Sequence, residues 1–169
     1  MKSFSRRSPM FTNEQFTDLV NKYIDTVFRV AFSCTKNPGD AEDITQDVFL
    51  ALLREKKPFE SDDHVKRWLI RVTVNQCKKW FRSTKRIVGP FEDYANVVSF
   101  ESRRHSDLFY AVMDLPTKYR VPILLYYYEE YTTDEIAMIM KIPKGTICTN
   151  LKRGRDMLKK TLEEDEQDG

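Results

Sequence analysis

Between Phe16 and Cys34 the apolar residues Phe16, Leu19, Val20, Tyr23, Val27, Val30, Ala31 and Cys34 recur at steps of three and four. That spacing predicts a long amphipathic helix. Asn37-Pro38-Gly39 interrupts it, as a Pro-Gly pair interrupts any helical run. Asp40 is the expected N-cap of a second helix, with Glu42 and Asp43 suited to the positive end of its dipole. Ile44, Val48, Ala51 and Leu52 form the buried stripe of that helix, and Lys56-Lys57-Pro58 closes it. Ser61 or Asp62 is expected to cap a third helix that reaches about Arg82.

From 83 to 106 the periodicity fades into Gly89, Pro90 and scattered polar residues, the composition of a linker. Its apolar residues, among them Ile87, Phe91, Tyr94 and Phe100, are expected to lie on a surface. Leu108, Ala111, Val112 and Leu115 then share one helical face, and Pro116 stands where a next helix begins. The dense apolar run from Val121 to Tyr128 is expected to be a buried helix with Pro122 in its first turn. Thr132-Thr133-Asp134-Glu135 has the form of a capping box. It opens a short helix with Ile136, Ala137, Ile139 and Met140 inward. After the tight break Lys141-Ile142-Pro143-Lys144-Gly145, the last helix runs from Thr146 to Leu162 with Ile147, Leu151 and Leu158 inward. No alternating run is long enough to argue for a sheet. The expected fold is all-α: two small helical domains, 11–82 and 107–162, joined by a flexible linker over 83–106 and followed by an acidic tail over 163–169. The second domain contains a helix-turn-helix. Two cores this small would each be marginal alone.

Composition changes this picture only through its distribution. The 169 residues carry 41% hydrophobic and 32% charged side chains and a net charge of +2. From His64 to Arg86 there are Lys and Arg but no Asp or Glu, and from Lys141 to Lys160 the one acid is Asp156. Glu163, Glu164, Asp165, Glu166 and Asp168 crowd the end. Segregated basic stretches are the footprint of polyanion binding. Cys34, Cys77 and Cys148 stand far apart, and there are two histidines, His64 and His105. No disulfide framework, metal site or cofactor is expected from that set. No apolar run suits a membrane span, and the basic start lacks the apolar stretch of a signal peptide, so a cytoplasmic protein is expected.

Four constellations carry chemistry. On the third helix Arg67, Arg71, Asn75, Lys78 and Arg82 fall within an arc of roughly 80°, free of apolar residues. Cations there would meet phosphates and Asn75 a base edge. In the last helix, burial of Ile147 and Leu151 turns Cys148, Thr149, Lys152 and Arg153 outward near its start, the part of a recognition helix that reaches the major groove. On the second helix Gln46 and Asp47 lie beyond any capping role and could meet a basic protein surface. Phe59 sits in a polar loop, where it could plug the core or stack on an unpaired base.

Five motifs in register bring these together. They are Asp40-Ala41-Glu42-Asp43-Ile44-Thr45-Gln46-Asp47-Val48-Phe49, Trp68-Leu69-Ile70-Arg71-Val72-Thr73-Val74-Asn75, Leu115-Pro116-Thr117-Lys118-Tyr119-Arg120, Thr133-Asp134-Glu135-Ile136-Ala137, and Gly145-Thr146-Ile147 with Leu151, Arg153 and Arg155. In order and spacing they resemble the extracytoplasmic-function sigma factors of bacterial RNA polymerase, over about Phe11 to Leu162. The resemblance implies a promoter specificity subunit. Asp43, Gln46, Asp47 and Phe49 would bind the clamp of the largest polymerase subunit. The basic helix and the Phe59 loop would recognise and melt the −10 element. Residues Thr146 to Arg155 would enter the major groove of the −35 element while the second domain rests on the flap of the second subunit. It also implies an anti-sigma partner, with no membrane contact except through that partner. The chain departs from the family's usual residues at Cys148 and Asn150, commonly basic, and at Gly154, commonly alanine. The rival readings are a helix-turn-helix regulator binding duplex DNA alone as a dimer, and a helical adaptor for other proteins. The two histidines have no nucleophile or metal constellation around them, so an enzyme is not expected.

Overall fold

A computed structural model describes residues 10–83 and 106–168. The linker expected over 83–106 lies, but for its two end residues, outside the described residues. Every regular element among the described residues is helical.

The first unit is α1 (Asn13–Thr35), α2 (Pro38–Arg54) and α3 (Asp62–Ser83). Thr12 and Gln15 cap α1 reciprocally: the Gln15 N–H donates to the Thr12 hydroxyl at 3.1 Å and the Thr12 N–H to Gln15 Oε1 at 3.0 Å. Lys36 ends the helix in the left-handed region, φ 53°. Here the expected cap moves. Asn37, not Asp40, caps α2, its side chain accepting the Asp40 N–H at 3.0 Å. Pro38 opens the helix, because a missing N–H is harmless where no intrahelical partner exists. Ser61 caps α3, accepting the His64 N–H at 3.1 Å. Val27, Val30 and Ala31 of α1 meet Ala41, Val48 and Leu52 of α2 and Leu69 and Ile70 of α3 in a core closed to water.

The second unit is α4 (Ser106–Asp114), α5 (Thr117–Ile123), a π-helical turn (Leu124–Tyr128), α6 (Thr133–Met140) and α7 (Lys144–Asp168). Two expectations fail at α5. The helix starts at Thr117, so Pro122 lies inside it and not in its first turn. The chain then widens, the Glu129 N–H reaching back five residues to the Leu124 carbonyl at 3.2 Å. In that wide turn Leu125 is buried while Tyr126, Tyr127 and Tyr128 are exposed, against the expected buried helix. The capping box of α6 forms as expected: Thr132 accepts the Glu135 N–H at 3.3 Å and Glu135 accepts the Thr132 N–H at 2.9 Å. Instead of stopping near Leu162, α7 continues through the acidic residues to Asp168. Gly154 has a packing reason: a Cβ there would lie 3.0 Å from Ile123 Cγ1 and 3.4 Å from Tyr119 Cβ. Its absence lets α7 sit close on α5.

The units pack on one another, α5 against α1 and α6 against α3. Arg120, 3% exposed, is the buried tie. Its Nε donates to the Ser33 carbonyl of α1. Its Nη1 donates to the carbonyls of Met113 and Leu115 at 2.8 and 3.0 Å, and its Nη2 to the Thr117 hydroxyl at 2.9 Å. Burial pulls its pKa down to about 10. At neutral pH it remains a cation, held by acceptors that α1 and the second unit share.

Candidate nucleic-acid interface

The start of α7 is presented as the spacing predicts. Ile147 and Leu151 are buried and hold the helix down. Thr146, Cys148, Thr149, Lys152, Arg153 and Arg155 are all exposed on its other faces. Some of these groups already have neighbours. The Thr149 hydroxyl donates to the Gly145 carbonyl at 2.9 Å. Arg155 donates to the Tyr127 hydroxyl at 3.2 Å. Lys118 and Arg153 hydrogen-bond the Tyr119 hydroxyl and draw its pKa below the usual phenol value. Asn150 points inward, 8% exposed. It therefore lies off the face that would meet a groove, whatever residue the family carries there.

The α3 stripe is presented differently. Arg67, Arg71 and Arg82 are exposed, but Asn75 and Lys78 are half-buried. The stripe was expected to be left open by its own helix, and it is not open along its length. Arg67 pairs with Asp63 at 2.9 Å and with Glu135 of α6 at 2.7 Å. Lys78 Nζ donates to the Met140 carbonyl at the end of α6 at 2.6 Å. Burial, and then Lys141 and Arg82 nearby, lower the Lys78 pKa. The cover comes from the other unit, so the periodicity of α3 alone carries no sign of it.

Phe59 is half-buried in an aromatic cluster. It stacks on Phe11 at 6.0 Å between centroids and meets His64 and Trp68 edge-on at 5.2 and 5.7 Å. A groove of about 510 Å³ opens beside it, floored by Leu19 and Val65. The loop thus joins both readings of Phe59: it packs, and it walls an open groove.

The acidic side of α2 faces elsewhere. Asp43, Gln46 and Asp47 are exposed. Phe49 is 7% exposed and belongs to the core, so it reaches a partner only as the floor of the α1–α2 groove. Sequence reasoning missed the rest of that groove. Ile24, Leu50 and Leu53 line it at 41%, 41% and 46% exposure. The available signal was that these are large apolar residues off the buried stripes of their helices. Large apolar side chains left in water beside a charged rim mark a partner surface.

Cys34 and Cys77 are buried and Cys148 is exposed. Among the described residues no helix is long and apolar enough to cross a membrane.

Known proteins share this arrangement. Residues 19–87 match the family Sigma-70 region 2 and residues 107–158 match Sigma-70, region 4. The ECF RNA polymerase sigma factor SigW of Bacillus subtilis is 27% identical over 167 residues, covering 88% of this chain and 89% of that protein. The ECF sigma factor SigM of the same organism is 30% identical over 154 residues, covering 84% and 91%. SigE of Mycolicibacterium smegmatis is 30% identical over 156 residues, which span 60% of that longer protein. In fold the chain is similar to the sigma factor RpoE of Bartonella quintana, solved with the anti-sigma factor NepR, at a TM-score of 0.70 and 20% identity over 89% of this chain and 98% of that one. It is also similar to CnrH, solved with the cytosolic domain of CnrY, at a TM-score of 0.63 and 20% identity over 91% of each chain.

Proposed function

The chain belongs to the extracytoplasmic-function sigma factors, promoter-specific initiation factors of bacterial RNA polymerase, and from that premise we propose how its surfaces divide the work. The observation that carries the division is the segregation of charge onto separate faces. An exposed acidic edge on α2 borders an apolar groove, while α3 and the start of α7 present cations and amides. Asp43, Gln46 and Asp47, with the groove of Ile24, Leu50 and Leu53, take the clamp of the largest polymerase subunit, and the second unit rests on the flap of the second subunit. Lys152 and Arg153, with Thr146, Cys148, Thr149 and Arg155 around them, read the −35 element from the major groove. Arg67, Arg71, Asn75, Lys78 and Arg82 hold the −10 strand, and the groove beside Phe59 receives an unstacked base. The division assigns 11–82 to clamp and −10 work and 107–162 to the −35 element. An anti-sigma protein holds the factor inactive, a reading supported by the structural relative RpoE, which was solved with the anti-sigma factor NepR. The work is done in the cytoplasm and consists of binding, with no catalytic step or cofactor.

Transcription in vitro with core polymerase on genomic fragments tests the whole reading. Mapped starts should share upstream elements, and none should appear without the chain. Starts that do not depend on it would leave a free DNA-binding regulator as the better account. The polymerase arm is separable. Asp47→Lys should weaken capture of core polymerase by roughly tenfold or more, as charge reversal at a docking edge does, with helix content unchanged. Capture equal to the parent would remove Asp47 from the interface.

A further inference from the structure

One pair of reactive groups has no part in the proposed surfaces. Cys34, in the last turn of α1, and Cys77, in α3, lie in the same core at 4% and 2% exposure, and neither is in a disulfide. The two helices pack on one another, and the two thiols meet across that contact. The Cys77 S–H donates to the Cys34 sulfur, which draws the Cys34 thiol below its ordinary value against the opposing effect of burial. The same bond, with burial behind it, pushes the Cys77 thiol up. The pair is therefore asymmetric: one sulfur gives up its proton more readily, and the other keeps it.

A thiol buried among apolar groups is ordinarily inert. Two features set Cys34 apart. The first is a cation. Arg120 donates from Nε to the carbonyl of Ser33, the residue before Cys34, and its charge favours the Cys34 thiolate. The second is a route. A cavity of about 280 Å³ lies between α1 and the second unit, with Phe32 and Ser33 on one wall and Val112, Met113 and Leu124 on the other. It reaches the residue next to Cys34, and its apolar lining suits a small neutral molecule better than an ion.

We propose that Cys34 and Cys77 form an oxidation site for a peroxide, with Cys34 as the attacking sulfur, Cys77 as the resolving one, and a disulfide from α1 to α3 as the product. The Cys34 thiolate attacks one oxygen of hydrogen peroxide. The O–O bond breaks, an S–O bond forms, and the leaving hydroxide takes up the proton that Cys34 gave away, as water. The Cys77 sulfur then attacks the Cys34 sulfur. The S–S bond forms as the S–O bond breaks, and the second hydroxide leaves as water with the Cys77 proton. Two thiols thus lose two electrons and two protons to one peroxide. The bond ties the end of α1 to α3 inside the first unit and removes the negative sulfur that faces Arg120.

The test uses the full chain carrying Cys148→Ser, which leaves this pair as its only thiols. The reduced protein is exposed to hydrogen peroxide while folded, then unfolded and labelled with a maleimide. The untreated chain should take two labels. The treated chain should take none, stay monomeric, keep its helix content and regain both labels after dithiothreitol. Its melting temperature should rise by roughly 5 °C, since a bond across a long loop restrains the unfolded chain. With Cys77→Ala added, Cys34 should stop at the sulfenic acid and be trapped by dimedone. With Cys34→Ala instead, Cys77 should be oxidised at least about tenfold more slowly. Two labels on the treated folded chain overturn the site. Label loss that needs urea, or that dithiothreitol does not reverse, overturns it as well. Equal rates in the two single-thiol chains overturn the division of roles, and a lower melting temperature after oxidation overturns a bond that the fold accommodates. Should an alanine variant lose helix content, serine takes its place, and labelling of the Cys148→Ser chain decides the site without either.

Discussion

The chain has two basic helices, and they differ in what covers them. The start of α7 keeps its cations at the surface because α7 is buried along a single stripe, Ile147, Leu151 and Gly154. The stripe of α3 has an equally clean run of Lys and Arg, yet Arg67 and Lys78 are engaged by α6. The difference teaches that a run of charge states which chemistry a face can perform and leaves open when it can perform it. Availability depends on what folds against the face.

The comparison breaks most completely at Arg120, the cation that both units share. Arg120→Ala should leave the Ser33, Met113 and Leu115 carbonyls short of a buried donor, at a cost of roughly 3–5 kcal/mol. Chemical denaturation should show the loss, with exchange protection falling first in α4 and α5, on which α7 rests. A midpoint equal to the parent's would mean that water replaces the guanidinium freely.

Phe59 comes next. Truncation to Ala removes contacts with Phe11, Trp68 and His64. For a half-buried ring the cost should be about 2 kcal/mol, below the range for a fully buried phenylalanine. If the groove also receives a base, open-complex formation should fall further than stability explains, and a pre-melted template should restore it. Failure of that template to rescue, together with a lowered melting temperature, assigns Phe59 to packing alone.

On the open helix, Lys152→Ala and Arg153→Ala should each weaken −35 binding by about 1–3 kcal/mol if they read bases, with altered sequence preference. Equal transcription from every promoter in both variants would take the start of α7 out of the interface. The smallest effects sharpen the contrast within α3. Arg71→Ala and Lys78→Ala should each remove about one phosphate contact, making the salt dependence shallower by about one unit of slope. Arg71 is exposed, so its loss should be felt by any form of the chain. Lys78 should matter only once α6 has moved. Identical salt slopes for the two variants, with and without polymerase, would erase the distinction.

Much of this was legible in the residues. The α1 and α3 stripes, the capping box at Thr132 and Glu135, and the outward face of α7 all follow from spacing, because an amphipathic helix writes its buried face at steps of three and four. The misreadings have local physical causes. Asn37-Pro38-Gly39 does separate α1 from α2, but the cap is Asn37 and not Asp40, because proline is at home in a first helical position when the residue before it caps. Val121 to Tyr128 has the composition of a buried helix, and the π-helical turn instead rotates three tyrosines into solvent. The α1–α2 groove escaped notice because Ile24, Leu50 and Leu53 look like core until the core is seen to be full without them.

By itself, then, the sequence determined the helices, their inward faces, the charge each surface carries and, through five motifs in register, the family. Those are properties of residues near one another along the chain, where backbone geometry sets who shares a face. Only the tertiary structure decided that Arg120 ties two units together, that Glu129 sits between Arg29 and Lys66, and that α6 covers the face of α3. Each of these joins residues some 60 to 100 positions apart, and a single side chain carries no mark of which distant partner will exclude water from it.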